Sequence, residues 1–237
     1  VCGRFQIAWP WREMVKKYGI EHGKPIPPNW ETCIPRFNVC PTYLVPVVRQ
    51  TDGAREAVAM RWGYPAMWLR GRGGNPWSRS LVNCKADDAA SKRTWKKSLA
   101  ERRCLVPATG FYEWARDGKT RYPLLFARSD EVPLAFAGIW GSFDKDGERV
   151  ERFSIITAGP SPELAPYHDR GPVILEPEAW DDWLDPGRTA IDDLRPMMGD
   201  VPAGLLVATE VSTKLNSIKN TGADLMVADW SRADLPG

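Results

Sequence analysis

The sequence predicts an α+β fold, with mainly antiparallel strands in a distorted barrel flanked by helices. Three observations predict it. Short apolar or β-branched runs recur at residues 102–107, 110–116, 122–127, 134–140 and 152–158, with the length and composition of strands. Turn signals such as Asp117-Gly118 and Asp146-Gly147 separate them, and connections this short join antiparallel neighbours. Helical patterning is confined to a few segments, which places helices at the margins of the sheet. With 237 residues, 43% of them hydrophobic and 26% charged, the chain can bury a sizeable core, and no shift in composition divides it. A single domain over 1–237 is expected, with roughly the last ten residues as a tail.

In chain order, residues 2–8 read as a strand, and Pro10 suits the first turn of a helix running through Glu13, Met14 and Lys17 to Gly19. Residues 21–42 are proline-rich and read as a loop. Strand-like runs follow at 43–49 and 57–63, then a Gly/Arg/Pro/Trp loop at 70–79 and a Lys-rich helix at 87–100. The five strands named above come next. A helix at 176–184, with Pro177 near its first turn, and a strand at 205–209 complete the order.

No apolar run reaches the roughly 20 residues of a membrane span, and no basic segment followed by a hydrophobic one opens the chain. A cytoplasmic protein without membrane contact, and a monomer, is expected. The cysteines (Cys2, Cys33, Cys40, Cys84, Cys104) are odd in number, lack CxxC spacing and read as reduced thiols. The two histidines, His22 and His168, pair with no cysteine at zinc-site spacing, so neither a metal nor another cofactor is expected. His22 reads as exposed. Charge is uneven: residues 57–103 hold eleven Lys/Arg against three acids, a net of +8, within a chain of net +2. Such asymmetry suits a polyanion on one face, or simply a solvated basic surface.

Cys2 is the first chemical candidate, because a thiolate is a strong nucleophile and an N-terminal cysteine adds an amine beside it. Together they close a thiazolidine on an aldehyde; alone, a strand cysteine is a small buried hydrophobe. Glu113, in Gly110-Phe111-Tyr112-Glu113-Trp114, stands between aromatics whose desolvation raises a carboxyl pKa toward proton-transfer range; the alternative is an outward strand position. His168, in the loop-like Tyr167-His168-Asp169-Arg170, is either a titrating functional group or a structural histidine. Of the twelve tryptophans, most read as core. Trp68 and Trp77 differ, because aromatics within a basic, glycine-rich segment can stack on bases.

Seven ordered blocks resemble one family. They are Cys2-Gly3-Arg4-Phe5; Arg36-Phe37-Asn38-Val39 with Pro41-Thr42; Arg61-Trp62-Gly63; Asn83; Arg103 to Pro107 with Gly110 to Trp114; His168-Asp169-Arg170 with Pro172 to Leu175; and Asn216 to Gly222. The family is the SOS-response-associated peptidase (SRAP) proteins, which process abasic sites. The resemblance implies an SRAP-like domain that binds single-stranded DNA carrying abasic sites and joins Cys2 covalently to the ring-opened sugar. It implies that Asn83 holds the terminal amine or the sugar, that Glu113 moves protons during imine formation and release, and that His168 acts as acid or base near the sugar oxygen. Arg4, Asn38, Arg93 and Thr157 would line the site or grip phosphates, with Pro41 and Trp68 near the bases. Autoproteolytic exposure of the cysteine, cross-link reversal and AP-lyase activity come with the same resemblance.

Three positions depart from the family pattern. Lys85 replaces a usual arginine, keeping charge but losing the bidentate fork on phosphate. Gly171 replaces a larger residue, which is expected to loosen its loop. Val1 precedes Cys2 in place of methionine, and a GTG start codon read as valine is the expectation. Two other classes compete: a non-catalytic single-stranded nucleic-acid-binding module, and an N-terminal-nucleophile amidohydrolase.

Overall fold

A computed structural model describes residues 2–20 and 35–235; Val1, His22 and Cys33 lie outside the described residues. The strands are β1 (Phe5–Ile7), β2 (Arg36–Val39), β3 (Leu44–Thr51), β4 (Ala54–Trp62), β5 (Tyr64–Pro65), β6 (Ser80–Leu81), β7 (Asn83–Lys85), β8 (Arg103–Ala108), β9 (Gly110–Asp117), β10 (Thr120–Arg128), β11 (Leu134–Lys145), β12 (Glu148–Ala158), β13 (Gly171–Pro172) and β14 (Leu206–Glu210). The α-helices are α1 (Trp11–Lys17), α2 (Ala86–Ser91), α3 (Arg93–Glu101), α4 (Trp180–Leu184) and α5 (Ile191–Leu194).

Five strands close a barrel in the order β11-β8-β3-β4-β12, β12 pairing back to β11. The closing β4–β12 pair is parallel, as is β7 on β12, so the antiparallel expectation holds with these two exceptions. A second, antiparallel sheet runs β14-β10-β9-β1-β2. One core joins the two: Phe5 and Phe111 of the second sheet each meet Phe136 of the barrel edge-on, with ring centres 6.0 Å apart. Buried rings of this size contribute about 1.5–3 kcal/mol each. Asp146 and Gly147 both have positive φ, 55° and 87°, the two-residue turn that matches strand twist and locks Lys145 opposite Glu148.

Several expectations change in detail. The strand read at 2–8 shrinks to β1, with residues 2–4 beyond its start although Arg4 O still accepts the Tyr112 N–H of β9. Within the proline-rich 21–42 stretch, residues 36–39 form β2 on the edge of β1; the flanking prolines mask the signal. The 87–100 helix breaks at Lys92, which is extended (ψ 134°). In one straight helix the buried Ala89, Ala90, Trp95, Ser98 and Leu99 would spread around the whole circumference; the break turns all of them inward. The 70–79 loop overlaps two 3-10 turns, Met67–Arg72 and Pro76–Ser78, and a 3-10 turn at Pro177–Ala179 precedes α4. The segment read as a C-terminal tail docks: Trp230 donates to Val211 O (2.8 Å) and packs on Tyr122, and Arg232 bonds Glu210 (2.6 Å). Gly171 does not loosen its loop. It is buried, pairs with Ala158 and packs so closely on Leu164 that an added Cβ would approach within 2.9 Å. No helix among the described residues is long and apolar enough to cross a membrane.

Candidate functional site

The site forms where β1 ends. Through Phe5↔Phe111 the chain pairs with β9, and Tyr112 N–H still reaches Arg4 O at 3.0 Å. Beyond Tyr112, β9 pairs only with β10. The other edge of β9 borders a cleft of about 290 Å³ whose walls include Gly3, Arg4, Glu113, Trp114 and His168.

Cys2 is fully buried next to this wall. Asn83, on β7, donates from Nδ2 to the Cys2 carbonyl at 3.0 Å, fixing the N-terminal segment by its backbone. The parallel pairing of β7 with β12, Ile155 opposite Asn83, holds Asn83 there. Burial pushes the Cys2 thiol well above the ordinary range, and the Glu113 charge pushes it further. The resting thiol is therefore protonated, with a carboxylate as its electrostatic neighbour. Glu113 is 6% exposed because alternation along β9 turns it, with Phe111 and Ala115, to the core side.

His168 faces the same cleft. Its Nδ1 accepts the Arg170 backbone N–H (3.0 Å) and lies 2.8 Å from Asp169 Oδ1. An imidazole that accepts at Nδ1 presents Nε2 as its N–H donor. Cys2, Asn83, Glu113 and His168, distant in sequence, thus gather at one site.

A second cleft of about 340 Å³ includes Lys85, Thr157, Arg170 and Asp200. Thr157 is 1% exposed; its hydroxyl donates to Cys84 O and accepts from the Arg170 guanidinium, which it orients. Arg170 Nε is buried and meets no acceptor, leaving donor capacity at the cleft wall.

The remaining positions divide. Arg4 reaches the first cleft, its Nη1 bonded to Asn38 Oδ1 (3.0 Å) and Leu215 O (2.7 Å). Asn38 itself is fully buried, and its amide donates to Ser217 O and Asn220 O; of its two expected places, lining the site or gripping phosphate, the geometry gives it the bracing of Arg4. Pro41 is half-buried, Arg93 is exposed on the first turn of α3 and Trp68 is 43% exposed, and none of the three lines either cleft. Trp77 is no open platform, because Arg152, Lys145 and Phe143 surround its ring. Arg103, counted with the basic stretch, is buried and donates to Leu99 O and Ala100 O at the end of α3.

Sequence reasoning missed Arg116 and Arg121, and it read Asn216 to Gly222 as a family block without giving it a role. Asn216 accepts from Trp114 Nε1 (2.8 Å) and donates to Arg121 O (3.0 Å), so one segment holds Arg4, Trp114 and Arg121. The available signal was the arginines flanking the Asp117-Gly118 turn. Among the described residues, no group of three His, Cys, Asp or Glu side chains is placed to hold a metal ion.

Comparisons with known proteins agree across most of the chain. The family model described as SOS response associated peptidase (SRAP) matches residues 1–218. The abasic site processing protein YoqW of Bacillus subtilis is 28% identical over 228 residues, covering 95% of this chain and 99% of that protein. The abasic site processing protein YedK of Escherichia coli is 29% identical over 230 residues, with the same coverage. A crystal structure of a Bacteroides thetaiotaomicron protein superposes with a TM-score of 0.81 at 22% identity, over 97% of this chain and all of that one; this likeness concerns the fold alone.

Proposed function

Because this chain belongs to the SRAP family, we propose that it processes abasic sites in single-stranded DNA by joining Cys2 covalently to the ring-opened sugar. The observation that carries the reading is the buried Cys2, anchored by Asn83 and next to the Glu113 charge, at a cleft that also holds His168 and Arg4.

The chemistry follows from the protonation states. The Cys2 α-amine adds to the C1′ aldehyde, giving a carbinolamine. Loss of one water, with a proton delivered to the departing oxygen, leaves an imine. The thiol then adds its sulfur to the imine carbon while the nitrogen gains a proton, so the thiazolidine forms with one water as the only product lost. Since the resting thiol is neutral, sulfur attack needs a base, and Glu113 is placed to take that proton and return it to nitrogen. His168, with its proton on Nε2, is the donor suited to the sugar oxygen. Asn83 orients the nucleophile through its backbone. Lys85, Arg170 and Arg4 supply positive charge for the flanking phosphates. Autoproteolytic exposure of Cys2, which frees the amine, and reversal or strand cleavage from the imine belong to the same reading.

The test is a denaturing gel with single-stranded DNA carrying an abasic site, after intact mass has established that Cys2 is the first residue. A detergent-stable adduct is expected, absent in Cys2→Ala. Cys2→Ser keeps the amine, so borohydride should trap its imine although no thiazolidine forms. An undiminished adduct with Cys2→Ala removes the proposed nucleophile. Binding without any adduct favours the non-catalytic module.

A further inference from the structure

The end of the β9–β10 hairpin sets Arg116 directly opposite Arg121. Like charges facing each other across two strands destabilise a hairpin unless something neutralises them. Among the described residues nothing does, and neither arginine has a carboxylate within ion-pair distance. The neighbouring Asp117 belongs to the opposite face by alternation and pairs with neither. Both arginines line the cleft that holds Glu113 and His168. Arg121 lies over the Trp114 ring at 4.6 Å, and Asn216 pins both the indole N–H and the Arg121 backbone. Arg121 is therefore held by the fold, Arg116 faces it by strand register, and both line the cleft.

We infer that Arg116 and Arg121 form a second phosphate seat, which takes the backbone of the strand on one side of the abasic nucleotide. Arg116 stands three residues beyond Glu113, about 10 Å along β9. A phosphodiester chain advancing 3.4 Å or more per nucleotide covers that span within about three nucleotides. The seat thus grips the strand a few nucleotides from the reacting sugar, at a cleft separate from the one that Lys85 and Arg170 line. The inference rests on the single-stranded DNA reading and adds to it a direction along the strand.

The experiment measures equilibrium binding of an intact single strand across a salt series, for the wild-type protein and for Arg116→Gln/Arg121→Gln. Each phosphate contact on a single strand contributes about 0.7 to the slope of log K against log salt. The double variant should lose between about 0.7 and 1.4 of that slope. Arg116→Lys/Arg121→Lys should keep it, which separates charge loss from misfolding. Arg12→Gln/Arg149→Gln, exposed on α1 and β12, removes the same charge elsewhere and should leave it unchanged. In a second arm, abasic strands extended on only one side are compared, and the double variant should bind one polarity more weakly and the other like wild type. An unchanged slope, an equal loss in the Arg12/Arg149 control, or equal defects on both polarities overturns the seat. A wild-type protein that binds no single strand at all would instead sink the DNA reading beneath it.

Discussion

Glu113→Gln tests the proton-transfer argument most sharply, because its two consequences have opposite signs. The substitution preserves size and hydrogen-bonding capacity while removing the charge and the titration. Losing the charge relieves one of the two influences that raise the Cys2 thiol, the lesser after burial, so the thiol ionises more easily. Losing the titration removes the base that takes the thiol proton. If Glu113 acted only through its field, and that field disfavours thiolate, the variant would form adduct as fast as wild type or faster. If it moves protons, the rate should fall by about 10²–10⁴-fold, a barrier increase of about 2.7–5.5 kcal/mol. Glu113 lies on the core side of β9 at 6% exposure, away from the open rim, so affinity for an intact strand should stay within about threefold, or about 0.7 kcal/mol. The assay pairs quenched single-turnover adduct formation on saturating abasic DNA with equilibrium binding to an undamaged strand. Wild-type or faster adduct kinetics in Glu113→Gln would refute the role and pass the proton to His168 or water.

Other outcomes follow from the same geometry. Asn38→Ala removes the buried acceptor for Arg4 and the donors to Ser217 O and Asn220 O, so denaturant unfolding should show a loss of about 1–3 kcal/mol; a variant of unchanged stability whose binding alone fails would make Asn38 a phosphate contact and not a brace. Lys85→Arg gives the second cleft a planar fork and should bind single strands as tightly or more tightly, an expectation that weaker binding contradicts. Stability should fall at alkaline pH. The buried Cys2, Cys84 and Cys104 thiols are raised far above the ordinary 9.0, so above pH 9 the unfolded chain releases protons that the folded chain retains. Stability is then lost as pH rises through the unfolded-state value, by about 1.4 kcal/mol per pH unit for each thiol. Urea midpoints that stay flat from pH 7 to 10 would rule this out.

The sequence by itself determined the elements whose signals are local. Asp146-Gly147 specifies its own hairpin because both residues tolerate positive φ, and the apolar runs of β8 to β12 specify strands through composition. It also carried the family, through Cys2, Asn83, Glu113 and His168, because chemistry constrains residue type more tightly than packing does. Tertiary structure alone decided what each of those residues touches. Closure of the barrel by the parallel β4–β12 pair, and the parallel β7 that carries Asn83 to the Cys2 carbonyl, join segments whose separation leaves no periodicity to read. The basic stretch at 57–103 looked like one surface, yet Arg103 went inside, where its guanidinium donates to Leu99 O and Ala100 O at the end of α3 and to Trp183 O and Asp185 O at the end of α4. Asn38, expected to line the site or grip phosphates, is a buried brace of Arg4, and Arg116 and Arg121, for which the sequence raised no expectation, line the cleft. In each case the residue type fixed what the group can do. Which partner it met was set by where distant strands brought the backbone, and a single chain of letters does not encode that distance locally.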